Sequence, residues 1–167
     1  MKPLRIAADT NLLLDLADEA GDVLDALAII NRRLPQADKL VTPNVLDELA
    51  YLCDGGWSRQ LRASARRAMQ FLREEQPFRP LLELPFPAEM VEQIAGEIRQ
   101  AQLLPDEEIH DSRILAEAAL LDCGILLTSD AHLRSIDHQA MTLVFNSLDL
   151  AAPVIATPRE IVRKFFP

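Results

Sequence analysis

Two short apolar runs each end on a carboxylate. Leu4–Ala8 delivers Asp9-Thr10-Asn11, and Ile125–Leu127 delivers Thr128-Ser129-Asp130. In open α/β sheets, ligands bind in the crevice outside the carboxyl ends of the strands. Carboxylates that converge there without basic partners repel one another unless something positive lies between them. The guest this implies is a hard divalent cation, Mg²⁺ or Mn²⁺, which takes oxygen ligands.

Two further acids extend the pattern. Asp111 closes the stretch Asp106-Glu107-Glu108-Ile109-His110-Asp111. Asp106 fits the start of a helix from Pro105 to Asp122, where a carboxylate complements the N-terminal dipole. Asp111 then falls a turn or more deeper, beyond that benefit. Glu108, three residues earlier, shares its helical face, and two like charges there cost stability unless water or a cation separates them. Glu48 lies in Val45-Leu46-Asp47-Glu48-Leu49-Ala50 beside the buried flank of a helix, with Asp47 competing for the same role. Each acid also has a plain structural reading. Asp9 and Asp130 are good N-caps for the segments that follow them, and Glu48 reads equally as a solvated glutamate. Thr10, Asn11, Thr128 and Ser129 are the types that hold a carboxylate or a bound water in place.

The elements that must position these groups alternate between strand and helix. Strands are expected at Leu4–Ala8, Lys39–Thr42, Pro80–Leu84, Ile125–Thr128 and Met141–Phe145. Helices are expected at Asn11–Ala17, Asp22–Leu34, from Pro43 to about Cys53, at Ser58–Glu75 and Ala88–Ala101, and from Pro105 to Asp122 with Gly124 as its stop. Ala131–Ser135 reads as a helical turn. Thr157-Pro158-Arg159-Glu160 has the spacing of a capping box and opens a last helix, Pro158–Phe165. This alternation predicts an α/β fold, a mostly parallel sheet covered on both faces. No repeat or linker divides the chain, so residues 1–167 are expected to form a single domain.

Taken in order, the strand ending Asp9-Thr10-Asn11, the helical Asp47-Glu48-Leu49, the block from Asp111-Ser-Arg-Ile-Leu-Ala-Glu-Ala-Ala-Leu to Leu-Thr-Ser-Asp130, and the terminal Thr157-Pro158-Arg159-Glu160 helix resemble a PIN domain across essentially the whole chain. The resemblance implies a three-layer PIN-like fold and a metal-dependent ribonuclease, of the kind that includes the VapC toxins of toxin–antitoxin pairs. It carries the family's acids onto Asp9, Glu48, Asp111 and Asp130 as catalytic and metal-binding residues, with Asn11, Glu108 and Thr128 in support and Mg²⁺ or Mn²⁺ as cofactor. RNA is the implied substrate, and an antitoxin protein and a homodimer are the implied partners. The chain is longer than a compact toxin, with the extra helices over Trp57–Leu104. Two other readings stay open: a PIN-fold interaction protein with weak catalysis, and a Mg²⁺-dependent phosphatase with Asp9 as nucleophile. Asn11 counts against the phosphatase, which wants a second acid at that position.

Composition constrains these readings. A net charge of −9 argues against a tight nonspecific duplex binder. A local basic face is still available: Arg59, Arg62, Arg66 and Arg73 follow helical spacing with Arg67 beside them, and serve either as a solvated face or as contacts to an RNA backbone. His110, His132 and His138 share no metal spacing and read as surface or partly buried residues, although His110 and His132 neighbour site acids. No apolar run approaches the ~20 residues of a membrane span. Cys53 and Cys123 lack disulfide or CxxC character and read as buried thiols, which fits a cytoplasmic protein.

Overall fold

The computed structural model describes residues 2–165. Its strands are β1 (Arg5–Ala8), β2 (Asp38–Val41), β3 (Arg79–Pro80), β4 (Ile125–Leu127) and β5 (Val154–Ala156). All are parallel, in the order β3-β2-β1-β4-β5. The helices are α1 (Thr10–Ala17), α2 (Gly21–Arg33), α3 (Pro43–Gly55), α4 (Arg59–Arg73), α5 (Ala88–Gln100), α6 (Ile109–Leu120), α7 (Ala131–Arg134), α8 (His138–Ser147) and α9 (Pro158–Phe165).

The strand order decides where a ligand can sit. From β1 the chain steps outward twice, through α1–α2 to β2 and through α3–α4 to β3. It then returns past β1 to β4 through α5–α6. Because parallel crossovers are right-handed, reversing the direction of travel moves the helices to the other face. Helices α1 to α4 therefore cover one face, with α9 packed on α2, and α5, α6 and α8 cover the other. The reversal falls between β1 and β4 and opens a crevice at their carboxyl ends. With helices on both sides, the strands are apolar rather than alternating: Ile6, Ala7, Ala8, Leu40, Val41, Leu126 and Leu127 are all buried. Among the described residues, no helix is long and apolar enough to cross a membrane.

Four sequence expectations change. Met141–Phe145 is not a strand but the middle of α8. Met141 and Phe145 are buried while Leu143 between them is 72% exposed, which is the spacing of a helix face and not strand alternation. Asp137 starts this helix by accepting from the Gln139 N–H at 2.9 Å. The strand expected over Pro80–Leu84 shrinks to Arg79–Pro80 at the sheet edge, the only kind of position in a sheet that tolerates proline well. Helix α6 starts at Ile109 rather than Pro105, because residues 105–108 form a turn closed by Glu108 N–H to Pro105 C=O at 3.0 Å. Its stop is Asp122, with φ 55°, and not Gly124. The Asp122 and Cys123 N–H groups close back on Ala119 and Ala118, so an aspartate occupies the left-handed position usually given to glycine. The capping box at Thr157 and Glu160 forms as its spacing predicts. Cys123 is buried and Cys53 half-buried, both as free thiols.

Candidate metal centre

Asp9 and Asp130 are both N-caps, and Thr128 ties them together across the crevice. Asp9 is the N-cap of α1: one carboxylate oxygen, Oδ1, accepts from the Leu12 N–H at 2.8 Å. Its other oxygen accepts from the Thr128 hydroxyl, at the end of β4. Asp130 caps α7 with Oδ1, accepting from the His132 and Leu133 N–H groups at 2.7 and 3.1 Å. Asn11 Nδ2 donates to its Oδ2 at 3.0 Å. The Thr128 hydroxyl also accepts the Asp130 N–H at 2.8 Å, so one side chain fixes both acids across the crevice. Capping and site-building are therefore one arrangement: the cap fixes the rotamer that aims the carboxylate.

Glu48 reaches the same place from α3. The Thr10 hydroxyl donates to its Oε2 at 2.5 Å, and its charge acts on Asp9. Asp47, its neighbour, is exposed and turns instead toward a cavity with Asn44 and Glu117. Asp111 joins from the first turn of α6, which corrects the expectation that it sits deeper in the helix. It is close enough to feel Asp130, Glu108 and Asp9. All four acids, from four different segments, thus meet at the carboxyl ends of β1 and β4.

The electrostatics are those of a site lacking positive charge. Burial pushes the Asp9 carboxyl up to about 7, and Asp130 and Glu48 add to the rise although the Thr128 and Leu12 hydrogen bonds oppose it. Burial likewise raises Asp111 to about 8, reinforced by Asp130, Glu108 and Asp9. Among the described residues, no lysine or arginine pairs with Asp9, Glu48, Asp111 or Asp130. Carboxylate oxygens backed by hydroxyl and amide groups form a donor set that fits a hard dication, and a dication would supply the charge that the cluster lacks.

The supporting residues land as follows. Asn11 and Thr128 tie the acids together, and Glu108 is pressed against Asp111. Two residues enter that spacing alone did not find. His132 Nδ1 lies 3.1 Å from Glu108 Oε1, although more than twenty residues separate the two in sequence. Glu117 is buried on α6 and accepts the Asn44 N–H at 3.2 Å, anchoring the start of the helix that carries Glu48. A charged residue at an otherwise apolar position of α6 was the available signal for it.

The arginine face of α4 is largely committed to its own surroundings. Arg62 donates to the Gly56 carbonyl at 2.7 Å, Arg66 pairs with Asp54 at 3.1 Å, and Arg67 with Asp18 at 2.8 Å. Arg59 and Arg73 are exposed.

The architecture is shared with solved structures. VapBC2 from Rickettsia felis, bound to a DNA fragment from its promoter, superposes with a TM-score of 0.57 at 11% identity, over 92% of this chain and 98% of that one. VapBC-1 from nontypeable Haemophilus influenzae gives 0.60 at 16% identity, over 93% and 99%. No family model matches the sequence, and no curated protein matches it. At these identities the likeness establishes the fold: a parallel five-stranded sheet flanked by helices, in the PIN-like arrangement of these toxin–antitoxin structures.

Proposed function

We propose that the chain is a single-domain, divalent-metal-dependent endoribonuclease of the PIN type, and the toxin of a toxin–antitoxin pair. The observation that carries the reading is the meeting of Asp9, Glu48, Asp111 and Asp130 at the switch point of the sheet, with no lysine or arginine among the described residues paired with them. Asp9, Asp111 and Asp130 would hold Mg²⁺ or Mn²⁺. A dication there supplies the positive charge that stabilises the transferring phosphoryl group and acidifies an attacking water.

The protein's own residues supply position. Thr128 fixes Asp9 and the Asp130 backbone together, Asn11 fixes the Asp130 side chain, and Thr10 fixes Glu48. These contacts hold three of the four mutually repelling carboxylates, Asp9, Asp130 and Glu48, in a set geometry before substrate arrives, so little reorganisation is needed during the reaction. Glu48, at the rim and tethered by Thr10, is placed to orient the attacking water. Of the candidate arginines for the substrate backbone, Arg59 is exposed, whereas Arg62 and Arg66 could contribute only by leaving Gly56 and Asp54. The VapBC architecture of the neighbours supports an antitoxin as the partner; we extend the proposal to a second copy of this chain and to a cytoplasmic setting.

The test is cleavage of single-stranded RNA with Mn²⁺ or Mg²⁺, comparing the wild type with Asp9→Asn. Cleavage that depends on the metal and collapses in the variant supports the reading. Equal residual cleavage in both proteins sinks it and leaves a PIN-fold interaction protein.

A further inference from the structure

His132 and Glu108 are site neighbours that the four-acid scheme does not use. The His132 backbone N–H donates to Asp130 Oδ1, so the carboxylate that caps α7 also suspends this imidazole at the lip of the cluster. From there Nδ1 lies 3.1 Å from Glu108 Oε1 and 3.9 Å from Asp130 Oδ1. One donor atom from each of Glu108, Asp111 and His132 falls within 4.8 Å of the other two.

An ordinary surface ion pair explains this grouping poorly. An exposed pair of this kind gains little in water. Here it would form while pressing Glu108 against Asp111, two carboxylates that repel. The donor types are also mixed. Two carboxylate oxygens and an imidazole nitrogen suit Mn²⁺, Co²⁺ or Zn²⁺, whereas Mg²⁺ keeps to oxygen and to its own water.

We propose that Glu108, Asp111 and His132 form a nitrogen-containing cation position at the lip of the acid cluster, which biases the protein toward a transition-metal dication over Mg²⁺. Asp111 is shared between this position and the deeper acids, so the proposal refines the nuclease reading and rests on it for its catalytic meaning. In this arrangement Glu108 is a ligand beside Asp111 rather than a source of repulsion, and the Asp130 cap holds the imidazole in place beforehand.

The experiment titrates the full-length protein with Mn²⁺, Zn²⁺ and Mg²⁺ in turn by calorimetry, and examines the Mn²⁺ sample by pulsed electron paramagnetic resonance for coupling to nitrogen. The wild type is expected to show nitrogen coupling. His132→Gln is expected to lose that coupling and roughly tenfold in Mn²⁺ and Zn²⁺ affinity, with Mg²⁺ affinity changed by about twofold or less. The cap uses the His132 backbone and survives the substitution, and circular dichroism verifies the fold. Glu108→Gln should weaken Mn²⁺ binding in parallel. Mn²⁺ bound without nitrogen coupling, an unchanged metal preference in His132→Gln, or no Mn²⁺ binding by the wild type each overturns the proposal and leaves a His132–Glu108 ion pair. Nitrogen coupling in a wild type that cleaves no RNA removes the nuclease reading and leaves the cation position standing.

Discussion

The two edges of the sheet treat their acids in opposite ways. At the amino edge, Asp38 begins β2 between Arg5 of β1 and Arg79 of β3, with Arg79 making two hydrogen bonds of 2.7 Å to it. These guanidinium bonds hold the Asp38 carboxyl below its ordinary range. At the carboxyl edge, Asp9 and Asp130 have only hydroxyl and amide partners among their side-chain hydrogen bonds, Asp111 lies against Glu108, and Asp9 and Asp111 are pushed up to about 7 and about 8. An acid placed for stability is given an arginine. The acids at the carboxyl edge have no arginine, and a dication at the proposed centre would relieve the repulsion that the fold otherwise carries.

The sharpest way to break this contrast is to remove one acid from each edge. Asp111→Asn is isosteric and not a cap, so the fold should persist while metal-dependent RNA cleavage falls by roughly a hundredfold or more. Asp38→Asn should leave cleavage within about twofold, since its charge is spent on Arg79 and Arg5. Cleavage assays at saturating Mn²⁺ give both numbers. Comparable losses in the two variants would mean that the edges do not differ in kind.

The next largest effect is on stability as a function of pH. The Asp9 carboxyl titrates near 7 when folded and near 3.9 in an unfolded chain. Between those values the folded state binds the extra proton. The contribution of Asp9 is therefore most favourable below the unfolded value and is lost as pH rises through about 7. Asp9→Asn, which keeps a capping oxygen, should overtake the metal-free wild type as pH rises from 5 to 8, by a gap on the order of a few kcal/mol. Denaturant titration in a chelator measures it, and adding Mn²⁺ should close it. A gap that does not change with pH would show that Asp9 stays ionised throughout.

The amount of this legible from sequence follows the range of the interactions. Asp9 and Asp130 are visible because strand, carboxylate and polar companions are contiguous, and the strand order that brings them together follows from β/α alternation and crossover handedness. The resemblance favours Glu48 over Asp47, but the contact that separates the two is with Thr10, thirty-eight positions away. His132 shows no metal spacing in the sequence because its partner, Glu108, comes near only when α6 folds back along β4. The strand misassigned at Met141–Phe145 shows the limit of a short apolar run. With five residues, burial at the first and last fits both periods, and only the exposure of Leu143 decides.

A smaller effect tests how the carboxyl edge is held together. Thr128→Val keeps the shape of the buried side chain but deletes the hydroxyl that donates to Asp9 and accepts from the Asp130 N–H. Losing such a bridge should weaken Mn²⁺ binding by about ten- to a hundredfold, because the acids stay present but lose their fixed spacing. Calorimetry separates this from Asp111→Asn, which removes a ligand. Unchanged Mn²⁺ affinity would mean that the caps alone fix the two aspartates.

The smallest expected effect belongs to the amino edge. Arg79→Ala removes both guanidinium bonds to Asp38, but Asp38 and Arg79 are partly open to water and Arg5 lies nearby to compensate. The cost should be about 1 kcal/mol or less near neutral pH, shrinking further in high salt. The sign of its pH dependence is opposite to that of Asp9. The Asp38 carboxyl is lowered in the folded state, so its stabilisation is present above the unfolded value near 3.9 and disappears as pH falls through the folded one. Wild type and Arg79→Ala should therefore converge in acid, whereas wild type and Asp9→Asn diverge toward alkaline pH. Convergence of both pairs at the same end of the pH range would remove the distinction between the edges, because one electrostatic rule would then govern the whole sheet.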